Sequence, residues 1–130
     1  PGHLKENVMR AMVLDDEEDV RRLLGLMVSR LGFDVSEGAN GQEGLEILQE
    51  SPAIDVILLD WRMPEMDGPS FLKALQKNPA HKNIPVMMLT GLNEMDDVAT
   101  ALKLGAKEYL MKPITQRTLK EKLSILGLCQ

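Results

Sequence analysis

Five short apolar runs alternate with five stretches of helical periodicity along the chain. The first run, Val8 to Leu14, is stopped by a cluster of acids. Behind it Val20, Leu23, Leu24, Met27 and Leu31 recur at i, i+3, i+4, i+7 and i+11, which predicts a helix with this stripe toward a core, ending at Gly32. Phe33 and Val35 alternate with Asp34 and Ser36, the pattern of a short, half-buried strand near a sheet edge. Asn40 followed three residues later by Glu43 predicts a capped second helix, with Leu45 and Leu48 inward. The run from Asp55 to Asp60 is apolar on both alternating faces, as in a central parallel strand covered by helices on both sides.

The same alternation continues to the end. Pro69 is placed to open a third helix carrying Phe71, Leu72 and Leu75, and Asn78-Pro79 ends it. Pro85 to Thr90 predicts a fourth strand, and Met95, Val98, Ala101 and Leu102 a fourth helix closing at Gly105. Glu108 to Met111 is the fifth strand. Thr115 then caps the last helix, with Ile114 stapled onto Leu119 and the stripe continued by Leu123 and Leu126. Strands alternating with helices in this way predict an α/β fold around a parallel sheet.

Composition narrows the class. At 130 residues, 44% hydrophobic and 27% charged, the chain suits one soluble domain with one core, expected over residues 8–128, and no internal repeat or linker divides it. Residues 1–7 are expected to be a leader outside that domain. The formal charge of -5, with Lys and Arg dispersed, argues against a nucleic-acid partner, and no apolar run is long enough to span a membrane. The single cysteine, Cys129, makes no internal disulfide, so the reducing cytoplasm is the expected setting. The nine methionines read as adaptable core filler, with Met63 and Met66 the two that a loop position would expose.

Packing does not account for the residues at the strand ends: Asp15 and Asp16, then Asp60, Thr90 and Lys112. In an open parallel sheet with right-handed crossovers all carboxyl ends share one rim, and ligands bind there. Three carboxylates on that rim repel one another by about 4 kcal/mol per pair at ~4 Å and an effective dielectric of ~20, so a cation is needed. Oxygen donors without Cys or His suit Mg2+, with Mn2+ the alternative. Lys112 and the Thr90 hydroxyl add a charge and a donor for phosphoryl oxygens, and an aspartate so placed can act as nucleophile. Asp60, ending the central strand, is the candidate. Singly, such residues are often a helix cap, a turn former or a solvated charge; in this order the bland explanation fails.

The ordered set Asp15-Asp16, Leu58-Leu59-Asp60 with Met63-Pro64 and Asp67-Gly68, Leu89-Thr90-Gly91, and Tyr109 before Lys112-Pro113 resembles the response-regulator receiver domain of two-component signalling, over Val8 to Leu126. The resemblance implies a flavodoxin-like three-layer sandwich, a five-stranded parallel sheet in the order 2-1-3-4-5 with five helices. It implies that Asp60 is phosphorylated by a histidine kinase or histidine phosphotransfer protein. Asp16, Asp60 and the Arg62 backbone carbonyl would ligate Mg2+, with Asp15 acting through water. Lys112 would bind the phosphoryl group, its peptide to Pro113 cis. Thr90 and Tyr109 would be the switch pair, Gly91 would leave the approach to Asp60 open, and the fourth helix, fifth strand and fifth helix would face a downstream protein or fused output domain.

Other uses of the fold fit less well. A hydrolase of the aspartyl-phosphate type resembles an Asp-x-Asp pattern, and the second position here is Arg62. A flavin module would want a Gly-, Ser- or Thr-rich loop after the first strand, where this chain has Asp15-Asp16-Glu17-Glu18. A degenerate receiver acting as a scaffold would lack part of the site set. Arg62 and Leu92, each two residues beyond a site residue, are expected as a bulky pair shielding the acyl phosphate from water.

Overall fold

The computed structural model of the chain describes residues 8–51 and 53–129, so the expected leader lies outside the described residues. In chain order the elements are β1 (Arg10–Leu14), α1 (Glu18–Ser29), β2 (Asp34–Gly38), α2 (Gly41–Glu50), β3 (Val56–Asp60), α3 (Gly68–Lys77), β4 (Val86–Thr90), α4 (Asp97–Lys103), β5 (Glu108–Met111) and α5 (Gln116–Ile125). The strands form one parallel sheet in the order β2-β1-β3-β4-β5, as the resemblance implied. Every residue of β3 and β4 is buried, whereas the edge strands β2 and β5 are partly exposed.

Alternation along the strands divides the core. Met12, Leu14, Ile57, Leu59 and Met88 pack with Phe71, Leu72 and Leu75 of α3 on one face. Ala11, Val13, Leu58, Met87 and Leu89 meet Leu24 and Val28 of α1 and Leu119 and Leu123 of α5 on the other. Truncating a fully buried side chain such as Leu75 costs about 2–5 kcal/mol by lost burial and the cavity left behind.

Local signals act where the sequence put them, with some shifts. The Asn40 side chain accepts the Glu43 N–H at 2.9 Å, but the Glu43 carboxylate returns to the Ala39 N–H, one residue earlier than a strict capping box. Asp67, which the sequence reading passed over as a cap, accepts the Ser70 N–H and starts α3, with Pro69 in its first turn. Gly32 follows α1 with φ of 95°, and Thr115 caps α5 by accepting the Thr118 N–H.

Two predicted stripes are corrected. Leu23 is 53% exposed: it lies roughly 100° around α1 from Leu24, at the flank of a stripe centred on Leu24 and Val28. There it lines an apolar recess with Met27, Pro113 and Ile114. The fourth helix is shorter than expected, Met95 lying before it and a 3-10 turn, Leu92–Glu94, earlier still. Only Ala101 of α4 is fully buried, with Val98 half-buried against the same cluster, and Leu102 is 46% exposed on the helix's outer side. Met63 is buried and Met66 partly so, packed against Gly41, so neither is the exposed methionine that a loop position suggested. Among the described residues no helix is long and apolar enough to cross a membrane.

Candidate functional site

The register sets the rim. Leu14 pairs with Leu59, so Asp15 and Asp60, one residue beyond each, leave the sheet at the same level. Asp60 pairs with Leu89, Thr90 with Met111, and the Lys112 N–H continues the ladder onto the Thr90 carbonyl at 2.7 Å. Four strand ends thus bring Asp15, Asp60, Thr90 and Lys112 to one place, with Asp16 on the outer side of the loop.

Asp15 is wholly buried and fully engaged. Its Oδ1 accepts the Glu17 N–H at 2.9 Å, and its Oδ2 lies 3.1 Å from Lys112 Nζ. Asp60, 4% exposed, has its Oδ1 3.5 Å from the same Nζ. Asp16 is exposed, and each of the three acids has an oxygen within 4.8 Å of the others. Burial, and then the charge of Asp15, push the Asp60 carboxyl up to about 7, with Lys112 working against them. Burial works to lower the Lys112 ammonium, but the charges of Asp60 and Asp15 outweigh it and hold the group above its ordinary value. The cluster therefore holds more negative charge than one lysine balances. Three hard oxygen donors at this spacing, one of them open to solvent, fit an ion such as Mg2+ that keeps several waters.

The remaining candidates stand around this centre. Thr90 is fully buried, and its hydroxyl donates to the Gly91 carbonyl at 3.1 Å. Tyr109 is half-buried, with Lys122 Nζ 4.2 Å from its ring centroid and Lys122 also paired with Glu108 at 2.7 Å. The Lys112-Pro113 peptide is cis, as the resemblance implied. Of the two bulky residues beside the site, Leu92 is 74% exposed, while the Arg62 guanidinium is drawn to Glu94 at 2.7 Å and Asp97 at 3.2 Å, because those carboxylates offer it its countercharge. The Glu94 carboxylate stands beside Gly91 and accepts its N–H at 2.8 Å.

Glu94 and the packing role of Gly68 escaped the sequence reading. A Cβ on Gly68 would lie 2.8 Å from the Asp60 carbonyl oxygen and 2.9 Å from Trp61 Cα, so only glycine lets α3 start against the end of β3. The G-x-x-E spacing of Gly91 and Glu94 was a usable signal, being a cap in which the third residue reaches back to the backbone.

Comparison with known proteins agrees with this geometry. The family model described as the response regulator receiver domain matches residues 11–124. The chain is 39% identical over 119 residues to chemotaxis protein CheY1 of Helicobacter pylori, covering 91% of this chain and 96% of that protein. It is 36% identical over 121 residues to the chemotaxis protein CheY homolog of Campylobacter jejuni, covering 92% and 93%. The structure of the chemotaxis response regulator CheY4 of Vibrio cholerae superposes with a TM-score of 0.84 at 28% identity, covering 92% of this chain and 99% of that one. With the family match over most of the sequence, relatives matched nearly end to end and the strand order in common, this chain belongs to the response regulator receiver domains and is CheY-like.

Proposed function

We propose that this receiver domain accepts a phosphoryl group on Asp60 with Mg2+ bound beside it, and passes the event to a partner through α4, β5 and α5. What carries the reading is one juxtaposition: a buried carboxylate, Asp60, with two further acids within 4.8 Å and the Lys112 ammonium at 3.5 Å. Asp16, Asp60 and the Arg62 backbone carbonyl would hold the ion, with Asp15 acting through water. Mn2+ is the alternative occupant. When bound, the ion neutralises the acids and the charge on the transferring phosphoryl oxygens.

The donor would be a phosphohistidine of a histidine kinase or histidine phosphotransfer protein. An Asp60 oxygen forms the new P–O bond as the P–N bond breaks, the imidazole nitrogen keeping the electron pair. Asp60 must be ionised to attack, and neutralisation of the acid cluster brings its carboxyl down from about 7. Lys112 pairs with a phosphoryl oxygen, and Thr90 gives up its bond to the Gly91 carbonyl to donate to another. The domain thereby catalyses its own phosphorylation and later hydrolysis, with Tyr109 moving inward alongside Thr90. A cytoplasmic setting belongs to the same proposal, and so does a downstream protein or fused output domain as the receiver of the signal.

Trp61 offers the test. It is 5% exposed and adjoins Asp60, so its fluorescence is expected to change with Mg2+ and again when beryllofluoride is added. Asp60→Asn is expected to abolish the second response. A wild-type protein indifferent to both additions would defeat the reading.

A further inference from the structure

The Arg62 and Glu94 side chains join the two loops that flank Asp60, and nothing in the phosphoacceptor chemistry requires them to do so. Glu94 divides its carboxylate between them. Oε1 accepts the N–H of Gly91, the residue after Thr90, at 2.8 Å, and Oε2 takes the Nε of Arg62, two residues beyond Asp60, at 2.7 Å. Arg62 also reaches Asp97, in the first turn of α4, at 3.2 Å. Glu94 is the better sheltered partner, its side chain 17% exposed against 70% for Arg62. In this arrangement the Thr90 hydroxyl is occupied by its own loop, on the Gly91 carbonyl.

We infer that Glu94 is a positioning residue, which with Arg62 clasps the loop after β4 in its resting place and so opposes the movement of Thr90 toward a phosphoryl group. The inference rests on the phosphoacceptor reading of Asp60 and adds a regulator to it. Thr90 cannot turn to the phosphoryl group without leaving the Gly91 carbonyl, and Gly91 is tied by its own N–H to Glu94. The backbone that must shift is therefore anchored to the loop that follows Asp60. Opening the clasp costs a charge-assisted hydrogen bond and part-exposed ion pairs, and a state that needs it open is disfavoured by that amount.

Charge alone makes a different prediction from the clasp, and the two can be separated. Beryllofluoride is titrated by Trp61 fluorescence at saturating Mg2+ into wild type, Glu94→Gln and Arg62→Gln, with Arg117→Gln as a control for losing a positive charge on α5. Glu94→Gln removes a negative charge near the site, and Arg62→Gln a positive one. If the clasp restrains the loop, both substitutions tighten beryllofluoride binding, by roughly threefold for part-exposed pairs, and the double variant is no tighter than the singles. Arg117→Gln leaves it unchanged. Opposite effects of the two substitutions, or none, would overturn the clasp while leaving the phosphoacceptor reading in place. A wild-type protein without any beryllofluoride response would overturn both.

Discussion

Asp60 sits at the end of β3 with its carboxylate shut off from water and a second buried acid, Asp15, beside it. Its carboxyl is raised from 3.8 to about 7, so without a metal the folded chain binds that proton far more tightly than the unfolded chain does. The stability this protonation contributes is complete below the unfolded value and is lost as pH rises through about 7, amounting to roughly 4 kcal/mol at alkaline pH. Asp60→Asn lacks the ionising group. Its advantage over wild type in unfolding free energy, measured by urea denaturation in a chelator, is therefore expected to be about 1.5 kcal/mol near about pH 5 and to grow to about 4 kcal/mol near about pH 8. Saturating Mg2+ should close the gap. An advantage of the same size at both pH values would show that burial and Asp15 do not act on Asp60 as the geometry says.

At the scale of elements, the site depends on how α3 begins. The Asp67 cap and Gly68 seat that helix against the backbone of Asp60 and Trp61, where the Gly68 N–H donates to the Trp61 carbonyl at 3.1 Å. The atoms a methyl group would meet at Gly68 are mostly backbone and cannot rotate away. Gly68→Ala is expected to cost about 1–3 kcal/mol, as overpacking does, and to weaken Mg2+ binding by moving the end of β3. Gly32→Ala is the contrast: its φ of 95° makes alanine strained, but nothing lies within 4 Å and the site is remote. It should cost stability, about 1 kcal/mol, without changing Mg2+ affinity. Denaturation and Mg2+ titration of the pair separate the two effects, and equal Mg2+ affinities would remove Gly68 from the site's support.

Periodicity revealed the buried elements and misjudged the marginal ones, for a physical reason. In β3 and β4 packing from both faces leaves almost only apolar residues tolerable, and in α3 the buried stripe of Phe71, Leu72 and Leu75 is unbroken, so the pattern is dense and the strand ends readable. Asp15, Asp60, Thr90 and Lys112 stood out because each interrupts such a pattern. In α1 the stripe admits Leu23 at its flank, and in α4 Ala101 with the half-buried Val98 suffices for contact, so hydrophobic spacing overstated both. Arg62 and Glu94 were out of reach because a contact between residues 32 positions apart leaves no local trace in either segment, apart from the G-x-x-E cap.

Over the whole molecule, one sheet carries the chemistry at its carboxyl rim and the proposed readout at its β5 edge. Moving such a domain from 1:99 to 99:1 between two states requires about 5.5 kcal/mol of preference. Bonds from Lys112 and Thr90 to a phosphoryl group, at roughly 1.5–3 kcal/mol each, supply part or most of it. A restraint of the size expected for the Glu94–Arg62 clasp therefore matters to the balance without deciding it. All of this depends on a covalent bond at one residue. The most direct measurement incubates the protein with acetyl phosphate and Mg2+, traps acyl phosphate by borohydride reduction, and locates the product by peptide mass spectrometry. The account predicts homoserine at residue 60, absent in a chelator and absent in Asp60→Asn. Trapped product at another residue, or none with Mg2+ present, would contradict it.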